Sequence, residues 1–69
     1  MQDISKKLGE NLRKIRLKKK MSQGDIAKLL DVDRGYISKI ENGKKNLTLT
    51  TIAKIAKVLK ILPDQLLKL

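Results

Sequence analysis

Residues 22–43 read Ser22-Gln23-Gly24-Asp25-Ile26-Ala27-Lys28-Leu29-Leu30-Asp31-Val32-Asp33-Arg34-Gly35-Tyr36-Ile37-Ser38-Lys39-Ile40-Glu41-Asn42-Gly43, and the fold turns on them. Two short helical patterns lie here, each with its own start signal. The Ser22 hydroxyl can accept a backbone N–H of the opening turn, and Asp25 three residues on favours the same helix end. Ile26, Ala27 and Leu30 mark one apolar face at helical spacing. Leu30-Asp31-Val32 turns the chain, Asp33 can cap a second helix, and Ile37 and Ile40 give that helix a narrow apolar stripe. Asn42-Gly43 ends it, because glycine readily takes the left-handed conformation that closes a helix. Arg34, Gly35, Ser38 and Lys39 fall between the apolar positions and are not needed for a core. This layout predicts a helix-turn-helix whose second helix is free to enter a DNA major groove.

Outward from this stretch the chain is short. Its 69 residues allow one domain, 1–69. A domain of this size buries only roughly 60 % of its unfolded surface, so its packing must be efficient or a partner must help. Cysteine and histidine are both absent, which removes disulfides, thiolate or imidazole metal sites and the commonest general base. The carboxylates are scattered, so no catalytic constellation emerges, and no metal, cofactor or small-molecule ligand is expected. No apolar run approaches the ~20 residues that span a bilayer, and no signal-peptide pattern opens the chain; the expected location is the cytoplasm.

Seventeen Lys and Arg against seven Asp and Glu leave a formal charge of +10. That exceeds the magnitude of ~2–8 that solubility alone asks of a small domain. It implies attraction to a polyanion. Tyr36 is the single aromatic residue, which argues against a single-stranded partner, since such sites stack several bases on aromatic platforms. Duplex DNA fits better.

Ahead of residue 22, Ile4, Leu8, Leu12 and Ile15 make one apolar helix face, with Asp3 as a candidate cap. The opposite face carries Lys6, Lys7, Arg13, Lys14, Lys18, Lys19 and Lys20. A basic amphipathic helix also suits a membrane surface, but this one lacks Trp and Phe, and the core needs its apolar side. The terminal lysines suit either the helix dipole or phosphate contact. Gly9 either permits close packing or is idle, at a cost of up to ~1 kcal/mol relative to alanine.

Beyond Gly43, Lys44-Lys45-Asn46-Leu47 is a basic loop, with Leu47 and Leu49 expected as buried anchors. Thr48 is the expected cap of a helix striped by Leu49, Ile52, Ile55, Ala56 and Leu59. Pro63 suits the first position of a further helix, followed by Asp64 and the apolar Leu66, Leu67 and Leu69. The expectation is five helices and no strand.

Taken together, Leu12-Arg13-Lys14-Ile15-Arg16, Met21-Ser22-Gln23 with Ile26-Ala27, the run Asp33 to Gly43, and Leu47-Thr48-Leu49 with Ile52, Ile55-Ala56 and Leu59 resemble the Cro/C1-type helix-turn-helix regulators of bacteria and phage. The resemblance covers about residues 5–67. Asp33-Arg34, Tyr36-Ile37-Ser38 and Asn46-Leu47-Thr48-Leu49 are similar to the short controller proteins of restriction-modification systems. The resemblance implies an all-α, compact, five-helix, lambda-repressor-like domain that acts as a homodimer on a near-palindromic operator. It implies that Gln23 contacts a phosphate and that Arg16 and Glu41 form a buried ion pair. Three departures stand out: Gly24 replaces Glu or Ala, Leu47-Thr48 lacks a common proline, and Leu62-Pro63 replaces a Val-Ser cap.

The residue roles follow. Arg34 is the main candidate base reader, since its fork matches guanine O6 and N7, with a phosphate contact as the alternative. Ser38 and Lys39 lie on the same side, and Gly35 permits close approach of backbone to DNA. Asp33 is a cap or an acceptor from cytosine, and Tyr36 binds a phosphate or covers the core's edge. Ser22, Gln23, Asn42, Lys44 and Lys45 are the other phosphate candidates. Leu62, Leu66, Leu67 and Leu69 either cover the chain's own core or form a two-fold interface. The functions weighed are a sequence-specific regulator, the antitoxin or interaction module of a toxin pair, a sequence-blind DNA-coating protein, and an enzyme.

Overall fold

The computed structural model describes residues 3–68, which form four α-helices and one 3-10 turn, with no strand among them. They run α1 (Ile4–Lys18), α2 (Gln23–Leu30), α3 (Arg34–Glu41), α4 (Leu49–Leu59) and the turn Pro63–Gln65.

Each helix opens on the side chain that the sequence points to. Asp3, Ser22, Asp33 and Thr48 are extended and accept the N–H of Lys6, Asp25, Tyr36 and Thr51 respectively. At α2 the cap is reciprocal: Ser22 Oγ accepts from Asp25 N at 3.0 Å, and Ser22 N donates to Asp25 Oδ2 at 2.8 Å. Two of the N–H groups that a helix start leaves open are thereby satisfied. The turn of the helix-turn-helix lies between two aspartates: Asp31 takes the left-handed conformation at φ 58° and ends α2, and Asp33 caps the start of α3.

The core is aliphatic. Leu8 and Leu12 from α1, Ile26 and Ala27 from α2, Ile37 and Ile40 from α3, and Ile52, Ile55, Ala56 and Leu59 from α4 are buried together, with Leu66 closing the cluster. The cluster is aliphatic, with Tyr36 packed against it from outside, and close approach of backbones adds to its packing density. Gly9 provides it: a Cβ there would run into the Ile40 carbonyl oxygen and stand 2.8 Å from that of Glu41. The close-packing role of Gly9 is therefore the one realised. Gly43 lies at φ +72° against the Lys6 backbone, so it both ends α3 and seats the following loop on α1.

Three expectations are corrected. The fifth helix is a single 3-10 turn: Leu66 and Leu67 donate to Pro63 and Asp64 three residues back. The carbonyls of Leu66 and Lys68 are taken instead by the two amide hydrogens of buried Asn11, at 2.9 and 2.8 Å. That clamp folds the segment onto α1 in place of a helical continuation. Leu49 is 78 % exposed and is no anchor. It occupies the first position of α4, outside the inward stripe that starts at Ile52. Ile4, placed on the apolar face of α1, is exposed: it is the first residue of that helix, whose buried positions begin at Leu8.

Candidate nucleic-acid interface

On α3, Ile37 and Ile40 point into the core, with exposures of 0 and 1 %. The intervening residues are left outward: Arg34, Gly35 and Lys39 are exposed and Ser38 is half-buried. Positions 34, 35, 38 and 39 share one side of an α-helix, so the four form a single row along α3. Asp33, at the head of that row, is engaged as the cap, its Oδ1 accepting from Tyr36 N at 2.9 Å. Ser38 Oγ accepts from Asn42 Nδ2 at 3.4 Å, which links the row to the exit of the helix.

The exit loop is held from two sides. Lys45 Nζ stands 5.2 Å from the centroid of the Tyr36 ring, within the range of a cation–π contact. Ser5 Oγ donates to Asn46 Oδ1 at 2.7 Å. Tyr36 is half-buried, Asn42 and Lys44 are exposed, and Lys45 is half-buried by its place over the ring. The phosphate candidates Asn42, Lys44 and Lys45 thus sit on a loop pinned to the start of α1 by Gly43 and Asn46.

The start of α2 is brought to the end of α3 by one carboxylate. Glu41 receives Arg16 Nε at 2.7 Å on Oε2, and Arg16 Nη2 and Gln23 Nε2, both at 3.1 Å, on Oε1. Arg16 Nη1 also donates to the Met21 carbonyl at 2.9 Å, so the guanidinium ties α1, the loop before α2 and α3 together. The fork-to-carboxylate geometry is bidentate, and its partner raises the pKa of Arg16 above the usual arginine value. Ser22 remains exposed and Gln23 half-buried at this junction.

The C-terminal leucines divide. Leu62 is 68 % exposed and Leu67 39 % exposed. Leu66 is fully buried in the chain's own core, so it has no surface to give a partner; its placement at an interface is corrected. Leu69 lies outside the described residues. Two polar residues with structural work escaped the sequence reading: Asn11, which clamps the C-terminal segment, and Asn46, which fastens the loop. Asn11 had a legible signal, since it lies three residues after Leu8 and four before Ile15, on the apolar stripe itself.

No cluster of three or more His, Cys, Asp or Glu residues that could hold a metal occurs among the described residues. No helix there is long and apolar enough to cross a membrane.

A capped helix pair with an outward polar row, flanked by a pinned basic loop, defines the DNA-binding helix-turn-helix class. Residues 12–66 match the family described as Helix-turn-helix, and the chain belongs to this Cro/C1-type family of DNA-binding regulators. Among its relatives, the control protein C.MunI of a Mycoplasma species is 42 % identical over 67 residues, covering 96 % of this chain and 90 % of the relative. The control protein C.BamHI of Bacillus amyloliquefaciens is 47 % identical over 60 residues, covering 86 % of this chain and 74 % of the relative. In structure the chain is similar to the restriction-modification controller protein C.AhdI of Aeromonas hydrophila, with a TM-score of 0.84, 39 % identity, and coverage of 90 % of this chain and 94 % of that one. It is also similar to the controller C.Esp1396I, solved as a tetramer with its natural 35-base-pair operator, with a TM-score of 0.80, 33 % identity, and coverage of 99 and 100 %.

Proposed function

We propose that this protein is a sequence-specific regulator of transcription that binds double-stranded DNA as a homodimer on a near-palindromic operator, in the cytoplasm, as a controller of a restriction-modification gene set. The observation that carries this reading is the row Arg34, Gly35, Ser38 and Lys39, turned outward by the buried Ile37 and Ile40. Such a row is what a recognition helix presents to base edges, and Arg34 at its head offers the fork that guanine accepts. Ser22, Gln23, Tyr36, Asn42, Lys44 and Lys45 lie on the flanks, where phosphates run, and fix the register of the helix in the groove. The relative C.Esp1396I, crystallised on its operator as a tetramer, supports both the DNA partner and the assembly from copies of one chain. The relatives are controllers, which favours transcription control over the antitoxin reading and over enzymatic activity.

Selection from a random duplex library tests the reading, run at ~150 mM salt with competitor DNA because a strongly basic protein holds any duplex at low salt. The expected product is a palindrome with half-site centres about 10 base pairs, or a multiple of that, apart. Retention of bulk DNA with no enriched sequence would overturn sequence specificity.

A further inference from the structure

Glu41 is an anionic side chain, 3 % exposed, in a protein whose partner is read as a polyanion, and its hydrogen bonds include one to a residue of the interface itself. The Gln23 amide has a nitrogen with two hydrogens and an oxygen that only accepts. A carboxylate also only accepts, so the nitrogen must be the end that faces Glu41. One hydrogen of Nε2 is engaged there at 3.1 Å, and the other remains. Gln23 is the first residue of α2, beside the open N–H groups that favour an anion. Glu41 is itself immobilised by the two-point contact with Arg16.

We propose that Glu41, held by Arg16, is a positioning residue for DNA binding: it fixes the Gln23 amide nitrogen-inward and so keeps one N–H donor set for a backbone phosphate. The inference rests on the DNA-binding reading above. It gives the Arg16–Glu41 pair a role beyond joining helices. A neutral amide at position 41 could donate as well as accept, and Gln23 could then turn over and offer its carbonyl oxygen, which a phosphate repels. The sign of the effect is diagnostic. Removing a negative charge near a polyanion strengthens binding when charge alone matters. Loss of orientation weakens it.

The test is a double-substitution cycle of Glu41→Gln and Gln23→Ala, with affinity for a mixed-sequence duplex of about three helical turns measured at ~150 mM salt, below the melting temperature of all four proteins. Glu41→Gln weakens binding about tenfold in the chain that keeps Gln23, the scale of one hydrogen bond to a charged group. It causes no loss in the Gln23→Ala background. An equal change in both backgrounds overturns the proposal. Should Glu41→Gln not fold, the native chain decides by the NMR signals of the Gln23 side-chain amide. One of its two protons is expected to exchange slowly with solvent and the other to shift when duplex is added. Fast solvent exchange of both protons, or a bound complex in which neither shifts, overturns it. Failure of the native chain to bind the duplex is a separate result, which overturns the DNA-binding reading and this inference with it.

Discussion

Single residues carry the sharpest expectations. Arg34 opens α3 and is exposed, with its carboxylate neighbour Asp33 occupied as a cap. Arg34→Ala is expected to cost roughly 1–3 kcal/mol on the selected operator and to relax the preference at one base pair. Equal losses on operator and mixed-sequence DNA would reduce it to a phosphate contact. Lys44, exposed on the exit loop, should behave otherwise: Lys44→Ala weakens all duplexes alike and lowers the salt slope by about one. Gly9 is expected to tolerate no side chain. Gly9→Ala places a methyl against the backbone end of α3, which cannot yield as a flexible side chain would. It should cost about 2–3 kcal/mol, read as a loss of melting temperature, although alanine is the better helix former. A neutral or stabilised variant would show that α1 and α3 can separate without penalty. From the chain alone Gly9 was ambiguous, because the atoms that exclude a Cβ lie about thirty positions away, at Ile40 and Glu41.

Elements were legible where their signals are local. The four helix starts were readable because a cap is a contact between a residue and the backbone three positions on. The cap of α2 makes a pH prediction. Asp25 is held below the ordinary carboxylate range, chiefly by the Ser22 backbone N–H, then by the Ser22 side chain and the charge of Lys28. Its folded-state pKa is therefore below its unfolded value of about 3.9. The stability it contributes is complete above that value and is lost as pH falls through the lower, folded one. Thermal melts of the native chain and Asp25→Asn should differ near neutrality and converge in acid; a gap independent of pH would assign the loss to something other than the charge of Asp25. The last element shows the opposite case. Pro63 and Asp64 are good helix-start residues, yet only a 3-10 turn forms. Its outcome depends on Asn11, far away in sequence, which takes two carbonyls of the segment.

At the scale of the whole molecule, a charge of +10 favours any duplex at low salt, so the proposed function assigns specificity to α3 and to the spacing of two copies. Burial separates the leucines that can serve that pairing from the one that cannot. Leu62→Glu, at a position 68 % exposed, should leave the helical signal intact while shifting sedimentation toward monomer and weakening operator binding, with melting lowered only as far as the lost dimer contributed. A dimer that persists would place the interface elsewhere. Leu66→Ala, at a fully buried position, should instead cost about 2–5 kcal/mol in stability.

The sequence by itself determined the all-helical class, the two capped helices around Asp31-Val32-Asp33, the outward row on α3 and the basic character of the surface. Each of these rests on periodicity, on side chains acting within one turn, or on composition, and none needs a distant neighbour. The tertiary structure alone decided that Gly9 is a contact point, that Leu49 is exposed, that Leu66 is core and Leu62 surface, and that the C-terminal segment is a clamped turn. It also decided that Glu41 is shared between Arg16 and Gln23. These outcomes depend on which backbone or side chain comes to lie opposite across the folded chain, and such pairings exist only once the helices have packed.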